Sequence, residues 1–533
     1  MERVNIIGAG LAGLSAAITL AKSGVRCSLI SSQASERAQS VMAEGGINAA
    51  LDVMGEHDTT AEHFADTMKG GVFLADPNAV NGLTSDAPEI VNWLHSLGVP
   101  FQYENGHIIQ RSFGGQKKKR TAYAKSSTGK VIMTALIDEA RKYEAAGLIE
   151  RYSHHTAADI MISGGECTGA VVRDIFSGKT SVFPGKVILA NGGLNGFFPG
   201  QTTGTTQNTG DLAAVLFSRG VEFANLEFIQ YHPTTAQIQG KRMLISEAAR
   251  GEGGRLFIQR GGNRWYFMEE LYPELGNLMP RDVVSREMYR VLHDPQYGGQ
   301  TYLDMTALPQ DAWKHKLSDL RSEIIDYLSV DPVKEPVAVS PGIHFFMGGI
   351  CVNERHETSI PGLYAAGECA CQYHGANRLG GNSMLGALYG GKTAAHSAAV
   401  SPEIPAGAAH DIPEPLETQS SPAAASRLCS ILLSGLGIIR DEQHINAALE
   451  ELDGCVFSGG LSQLERRRFQ FGRAMLMSAL ERRESRGAHT RSDFPERSDA
   501  DFLRTTIARV VNGRISIEMR SIPQRRAENE VHA

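Results

Sequence analysis

Val4-Asn5-Ile6-Ile7-Gly8-Ala9-Gly10-Leu11-Ala12-Gly13 is a short apolar strand running into a glycine turn. Leu11, Leu14, Ile18 and Ala21 then mark one face of a helix that Gly24 ends, and Cys27-Ser28-Leu29-Ile30 begins a second strand. The Gly-x-Gly-x-x-Gly spacing therefore stands in its strand–turn–helix–strand context. Its first glycine makes the turn, the second admits a pyrophosphate, and the third packs helix on sheet. A dinucleotide is expected here, contacting Gly8, Gly10, Leu11, Ala12 and Gly13. The acidic residue usual at the end of the second strand is replaced by Ser31 and Ser32, so the ribose must be held differently.

This unit alone does not separate FAD from NAD. Further glycine-rich strand ends favour FAD: Val187-Ile188-Leu189-Ala190-Asn191-Gly192-Gly193, Thr209-Gly210-Asp211 opening a helix, and Leu363-Tyr364-Ala365-Ala366-Gly367-Glu368. Nucleotide-facing ends so far apart in sequence suit a long ligand crossing the whole sheet.

The bulk numbers bound the rest. A chain of 533 residues exceeds one core, and 42% hydrophobic with 21% charged residues is ordinary globular composition. No apolar run is long enough to span a bilayer, which argues against direct membrane insertion. Met1-Glu2-Arg3 leads into a strand with no signal-peptide apolar segment, so a cytoplasmic location is expected, peripheral at the inner membrane face if a partner sits there. A net charge of −7 gives no general attraction for nucleic acid. The seven cysteines show no metal, haem or iron–sulfur spacing, so they read as reduced packing residues, no metal is expected, and electrons must come from outside the chain.

Two late segments place an imidazole and a guanidinium among glycines: Pro341-Gly342-Ile343-His344 through Gly348-Gly349, and His374-Gly375-Ala376-Asn377-Arg378-Leu379-Gly380-Gly381-Asn382-Ser383. An arginine fork matches a carboxylate, and glycines let a flat ring approach the main chain.

Between and after them, in order, stand Tyr231-His232-Pro233-Thr234-Thr235, Ser246-Glu247-Ala248-Ala249-Arg250-Gly251-Glu252-Gly253-Gly254, Pro280-Arg281-Asp282, Val330-Asp331-Pro332 and Glu484-Ser485-Arg486-Gly487-Ala488-His489. With the His344 and Arg378 segments, this order resembles the flavoprotein subunit of succinate dehydrogenase and fumarate reductase, whose superfamily includes L-aspartate oxidase. The resemblance covers about residues 3–500. It implies an α/β fold: a two-part Rossmann-like FAD-binding domain (1–225 and 335–400), an inserted α+β capping domain (226–334) and a C-terminal helical domain (425–515). The Pro-, Ala- and Ser-rich stretch 401–424 reads as a linker and 516–533 as a charged tail.

The family's reaction is the interconversion of fumarate and succinate, with hydride passing from flavin N5 to one alkene carbon and an acid protonating the other. By resemblance, His232, Ser246, His344 and Arg378 hold the carboxylates, with Phe113 beside them. Ser246 stands where the family usually has threonine and keeps the hydroxyl. Arg281 occupies the proton-donor position, and Glu247 and Arg250 match its relay. An arginine donates only if a relay replaces the proton at once; taken without the motifs, Arg281-Asp282 would read as a surface ion pair. FAD contacts are carried over to Ser31, Gln39, Ser40, Gly45, Gly46, Asp211, Glu368, Ser383 and Met384.

Two departures matter. Gln39 stands where covalent family members bond flavin through histidine, so FAD is expected to be non-covalent. Aspartate oxidases carry a glutamate directly before the Gly114-Gly115 pair, and here that position is Phe113. A simple dicarboxylate therefore fits better, with aspartate oxidation as the alternative and an electron-transfer module without turnover as a third reading. An iron–sulfur or other electron-transfer protein is the expected partner. Lys117-Lys118-Lys119-Arg120 reads as a solvated loop, or as a patch that steers a dianion to the cleft or docks an acidic electron carrier.

Overall fold

The computed structural model describes residues 3–124, 127–296, 299–403 and 420–526. Its central sheet has five strands, all parallel, in the order Leu363–Ala365, Val187–Leu189, Val4–Ile7, Cys27–Ser31 and Ile149–Ser153. Val4–Ile7, Cys27–Ser31, Val187–Leu189 and Leu363–Ala365 are buried along their whole length. That is the signature of a parallel sheet covered on both faces, and it explains why they read as apolar runs rather than alternating ones. The helices Leu11–Lys22, Asn382–Val400, Pro77–Ser96 and Thr128–Ala145 pack on one another along one side of it. Each Ile or Leu sealed between these layers contributes about 1.5–3 kcal/mol. The strand ends collect Gly8, Ala190–Asn191 and Gly367 at one edge, where a ligand binds in open α/β sheets.

A second, antiparallel sheet of six strands lies over that edge, in the order Lys241–Leu244, Ile229–Ile238, Val337–Phe346, Thr301–Asp304, Arg255–Arg260 and Asn263–Trp265. The strand Val337–Phe346 lies just past the boundary expected at 334/335, yet both of its partners belong to the expected insert: Val337, Ala338 and Val339 pair with Thr301–Leu303, and Ser340–Phe346 pair along Ile229–Thr235. The inserted unit is thus sewn to the nucleotide-binding part by one continuous strand pair.

The helices expected near the C-terminus are present as Pro422–Gly435, Glu442–Phe457 and Gln463–Glu481. Most of the expected linker, 404–419, lies outside the described residues, and Pro422 already opens a helix. The expected tail needs correction at its start. Arg504–Val511 and Arg514–Ser521 form a hairpin that pairs with Phe223–Ala224, in one sheet with Gly349–Cys351 and Ala370–Cys371. The signal is an alternation, Ile515, Ile517 and Met519 between polar residues, whose isoleucines pack on the main core. Residues 527–533 of the expected tail lie outside the described ones.

The basic run Lys117–Arg120 also differs from its reading as a wholly solvated loop. Arg120 is fully buried and pairs with Asp58 at 2.8 Å and Asp66 at 2.9 Å. Lys119 pairs with Glu56 at 3.4 Å. A lone arginine at the end of a basic run can be a core residue when two carboxylates fold against it, and spacing cannot show that.

Candidate active site

A cleft of about 690 Å³ runs between the parallel strand ends and the overlying sheet. Its lining includes Gly8, Gly10, Leu11, Ala12, Ser31, Gln39, Ser40, Gly45, Gly46, Asp211, Glu368, Ser383 and Met384 at one end, and Phe113, His232, Ser246, Glu247, Arg281, His344 and Arg378 at the other. Two of the expected residues do not line it. Gly13 lies behind the turn, and Arg250 behind Glu247.

The glycine turn is built for a ligand at close range. A Cβ on Gly8, which has φ +115°, would lie 2.1 Å from the Ala190 carbonyl oxygen; one on Gly13 would lie 1.8 Å from the Gly8 oxygen. Gly10 caps the helix Leu11–Lys22 with no side-chain hydrogen bond of its own, and the Leu11 N–H donates to the Ser40 hydroxyl at 3.2 Å on the cleft side. Gly381 opens the helix Asn382–Val400, also without a side-chain cap, at φ +83°. Two helix N-termini and bare backbone fit a pyrophosphate-bearing cofactor. Ser31 donates to the Gln33 carbonyl at 2.7 Å, and the Glu368 carboxylate accepts from the Phe346 N–H at 3.1 Å. Burial pushes Glu368 up to about 7. Gln39 accepts the Thr205 N–H at 2.6 Å, so its amide holds a loop of the cleft wall.

The other end is cationic. Ile229–Ile238 and Val337–Phe346 pair with His232 opposite Gly342, which brings the His232 and His344 rings to 5.1 Å. His232 Nδ1 lies 3.2 Å from the Thr234 carbonyl, and His344 Nδ1 lies 2.8 Å from the Thr203 hydroxyl. Burial, with Arg281 next, drives both imidazoles well below their ordinary pKa. Arg281 follows Pro280 at the start of the helix Arg281–His293, which packs on Ile229–Ile238. Its Nε donates to Glu247 at 2.8 Å, and its Nη1 to Gln230 Oε1 at 3.2 Å. Arg378 Nη2 donates to the same Gln230 oxygen at 3.1 Å, and the guanidinium stacks on Phe345 at 4.4 Å. Arg378 Nε has no hydrogen-bond partner among the described residues. Burial and then Arg281 pull Arg378 down to about 9. With Arg281 paired to Glu247, the buried Arg378 guanidinium shares only a neutral acceptor and keeps an unpaired donor, an arrangement suited to an anion.

Ser246 caps the short helix Glu247–Gly251, which sets Glu247 and Arg250 on one face as their spacing suggests. Glu247 also accepts the Gly114 N–H at 3.0 Å. Burial pushes its carboxyl up, but Arg281, Arg250 and these hydrogen bonds outweigh it and hold the acid below its ordinary pKa, ionised. Arg250 Nη2 lies 3.9 Å from Glu247 and its Nη1 donates to the Asn277 carbonyl at 2.6 Å. Arg281, Glu247 and Arg250 thus form a buried chain. The ion pair Arg281–Asp282 is excluded: Arg281 turns to Glu247, while Asp282 accepts from Asn377 at 3.0 Å.

Two residues escaped the sequence reading, Gln230 behind the cleft wall and Glu44 on it. Gln230 is fully buried and also donates to Asn377 Oδ1 and the Arg378 carbonyl, at 2.8 and 2.9 Å. The period of two along the strand puts it on the His232 face, a signal that was available. Glu44 lines the cleft beside Ser246, and burial with the nearby Glu323 raises its carboxyl to about 8.

Comparison with known proteins decides the family. A model described as "FAD binding domain" matches residues 3–384, and one described as "Fumarate reductase flavoprotein C-term" matches 464–531. The succinate dehydrogenase flavoprotein subunit of Bacillus subtilis (strain 168) is 34% identical, with 95% of this chain and 94% of that protein covered. This chain belongs to the succinate dehydrogenase/fumarate reductase flavoprotein family. The 8-methylmenaquinol:fumarate reductase flavoprotein subunit of Wolinella succinogenes is similar to this family member at 33% identity, over 97% of this chain and 90% of that one. A chain of E. coli quinol fumarate reductase superposes with a TM-score of 0.86 at 28% identity, covering 98% of this family member and 97% of that chain. The flavoprotein fold, with its Rossmann-like FAD-binding part, capping sheet and C-terminal helical region, is therefore that of the family.

Proposed function

We propose that this flavoprotein interconverts fumarate and succinate. The observation that carries the reading is the convergence of His232, His344, Arg281 and Arg378 on one cleft wall, at the end of a glycine-lined cofactor channel. FAD, held by the residues of that channel, supplies a two-electron hydride donor or acceptor at the cleft. Arg378 grips one carboxylate through its free donors, and His232, His344 and Ser246 take the other. Burial and, after it, the positive field of Arg281 keep both imidazoles neutral when no dianion is bound, and a dianion offsets that field. Arg281 delivers a proton to the carbon that does not receive hydride. Glu247, ionised at rest and bonded to the same guanidinium, takes a proton from Arg250 and passes it to the neutral Arg281 guanidine, and Arg250 regains its own from the side away from the cleft.

FAD is bound without a covalent link in this reading, because Gln39 spends its oxygen on Thr205 and its amide nitrogen is no nucleophile. After acid precipitation the yellow colour should stay in the supernatant; a yellow pellet would refute it. All seven cysteines are free, and burial raises six of the thiols, Cys351 and Cys429 to about 11, Cys27, Cys167 and Cys369 to about 12 and Cys371 further still, which fits a reading in which electrons are exchanged with a separate carrier, an iron–sulfur protein or another electron-transfer protein.

A second reading is oxidation of aspartate. Phe113, buried and stacked by Arg111 at 5.3 Å, offers nothing to an ammonium group. Glu44 beside Ser246 is the observation that favours it. One experiment separates the two. Anaerobically reduced flavin should reoxidise rapidly on adding fumarate, and oxidised flavin should not bleach with aspartate; the reverse pattern sinks the first reading.

A further inference from the structure

Arg378 sits on a loop outside both main sheets, tied to the six-stranded one through Gln230 and Phe345, and a further set of contacts fixes the loop from its other side. Three tight backbone segments stack there. The Ala376 N–H donates to the Gly71 carbonyl at 2.9 Å, and the Ala488 N–H donates to the Ala376 carbonyl at 2.9 Å. A glycine stands at each crossing. A Cβ on Gly375 (φ +52°) would fall 2.4 Å from the Gly71 oxygen, and one on Gly487 (φ +53°) 2.5 Å from the Ala376 oxygen. The first segment is itself strained: Val72 and Phe73 lie at φ 51° and 60°, a region that β-branched and bulky residues avoid. Arg486 Nη1 donates to the Val72 carbonyl at 3.0 Å and so holds that turn. The guanidinium is fully committed, with Nε and Nη2 on the Glu484 carboxylate at 2.6 and 2.9 Å and Nη2 on Asp499 at 2.7 Å. Beneath the loop, Leu74, Phe228, Phe345, Met347, Ala376 and Ala488 form one small cluster, and Phe345 is the ring on which Arg378 stacks.

We propose that the C-terminal turn Arg486–Ala488 positions the Arg378 loop, making Arg486 and Gly487 positioning residues for dicarboxylate binding although neither lines the cleft. The proposal rests on the dicarboxylate reading given above. Arg486 braces the Val72 turn, and Gly487 with Ala488 closes on Ala376, two residues before Arg378. The C-terminal region thereby sets how far the guanidinium projects over the cofactor channel.

The test is succinate titration of the flavin absorbance in the full-length FAD-loaded protein, with steady-state fumarate reduction in parallel. Gly487→Ala forces the Ala376 carbonyl away. It should raise the succinate Kd and the fumarate KM at least tenfold, with kcat within about threefold and FAD content unchanged. Arg486→Lys keeps the charge against Glu484 but cannot also reach Val72, and should give the same split; it carries the test alone if Gly487→Ala fails to accumulate. A purely structural role would instead lower kcat and FAD content together and leave KM unchanged, overturning the proposal. Variants that bind succinate as the wild type does also overturn it, while the functional reading stands. A wild type that binds no succinate overturns the functional reading and this proposal together.

Discussion

Gln230 shows how much one neutral side chain can organise. Its carboxamide oxygen accepts from Arg281 and Arg378, and its nitrogen donates to the Asn377 side-chain oxygen and the Arg378 carbonyl, so both guanidiniums keep a fixed spacing with no charge spent between them. The chemistry then falls on Arg281 and Glu247. Arg281→Lys keeps the positive charge but removes the planar fork that faces Glu247 and Gln230 together. Fumarate reduction should fall about 10²–10⁴-fold, the range of a lost general acid, while succinate still perturbs the flavin spectrum within about tenfold of the wild-type concentration. Stopped-flow reoxidation against a binding titration reads both. The paired histidines add a pH signature. Both are held neutral in the empty cleft by burial and by Arg281, and a dianion favours the charged imidazole, raising both pKa values. Succinate binding should therefore take up protons, and its Kd should weaken as pH rises above about 7. Calorimetry in two buffers of different ionisation heat measures the uptake; an identical apparent enthalpy in both would refute it.

Among the elements, the strand–turn–helix at Gly8–Gly13 was fully readable, because each glycine answers a local steric demand that shows in the spacing. Gly13→Ala would put a methyl 1.8 Å from the Gly8 oxygen and push the helix Leu11–Lys22 off the sheet. The variant should be purified with less than about a tenth of the wild-type FAD, read from the ratio of flavin to protein absorbance. The C-terminal hairpin was readable in principle, since Ile515, Ile517 and Met519 alternate with polar residues, but charged flanks masked a half-buried strand as a tail. Arg120 was not readable at all. Its two carboxylate partners lie 62 and 54 positions earlier in the chain, and only the folding of the segment around Asp58 and the helix Thr60–Gly70 beneath it brings them together.

For the molecule as a whole, the buried polar groups set the response to acid. His63, His232, His344, His356, His374 and His489 are all held below their ordinary pKa of 6.5, with burial as the first cause. These six are neutral when folded and charge when unfolded at mildly acidic pH. Their contribution is fully present above about 6.5 and is lost as pH falls toward 3, by up to about 1.4 kcal/mol per histidine per pH unit. Burial also raises the carboxyls of Glu44, Asp58, Asp76, Asp282, Glu323 and Glu368, which act in the opposite sense, but only Glu44 and Glu368 are raised as far as neutrality, to about 8 and 7, against six histidines. The urea midpoint should drop steeply from pH 7 to 5; a flat profile would contradict this. No helix among the described residues is long and apolar enough to cross a membrane. The dinucleotide turn, the order of the motifs and the identity of the cationic residues were all written in the chain, because local sterics and residue chemistry act over a few positions and leave a spacing behind. The pairing of Arg281 with Glu247 rather than Asp282, the Gln230 bridge, the burial of Arg120 and the C-terminal turn beneath Arg378 were decided by the packed molecule. Such contacts join residues tens to hundreds of positions apart, and their energies depend on which charges lose water together, a quantity that exists only once the chain has closed around them.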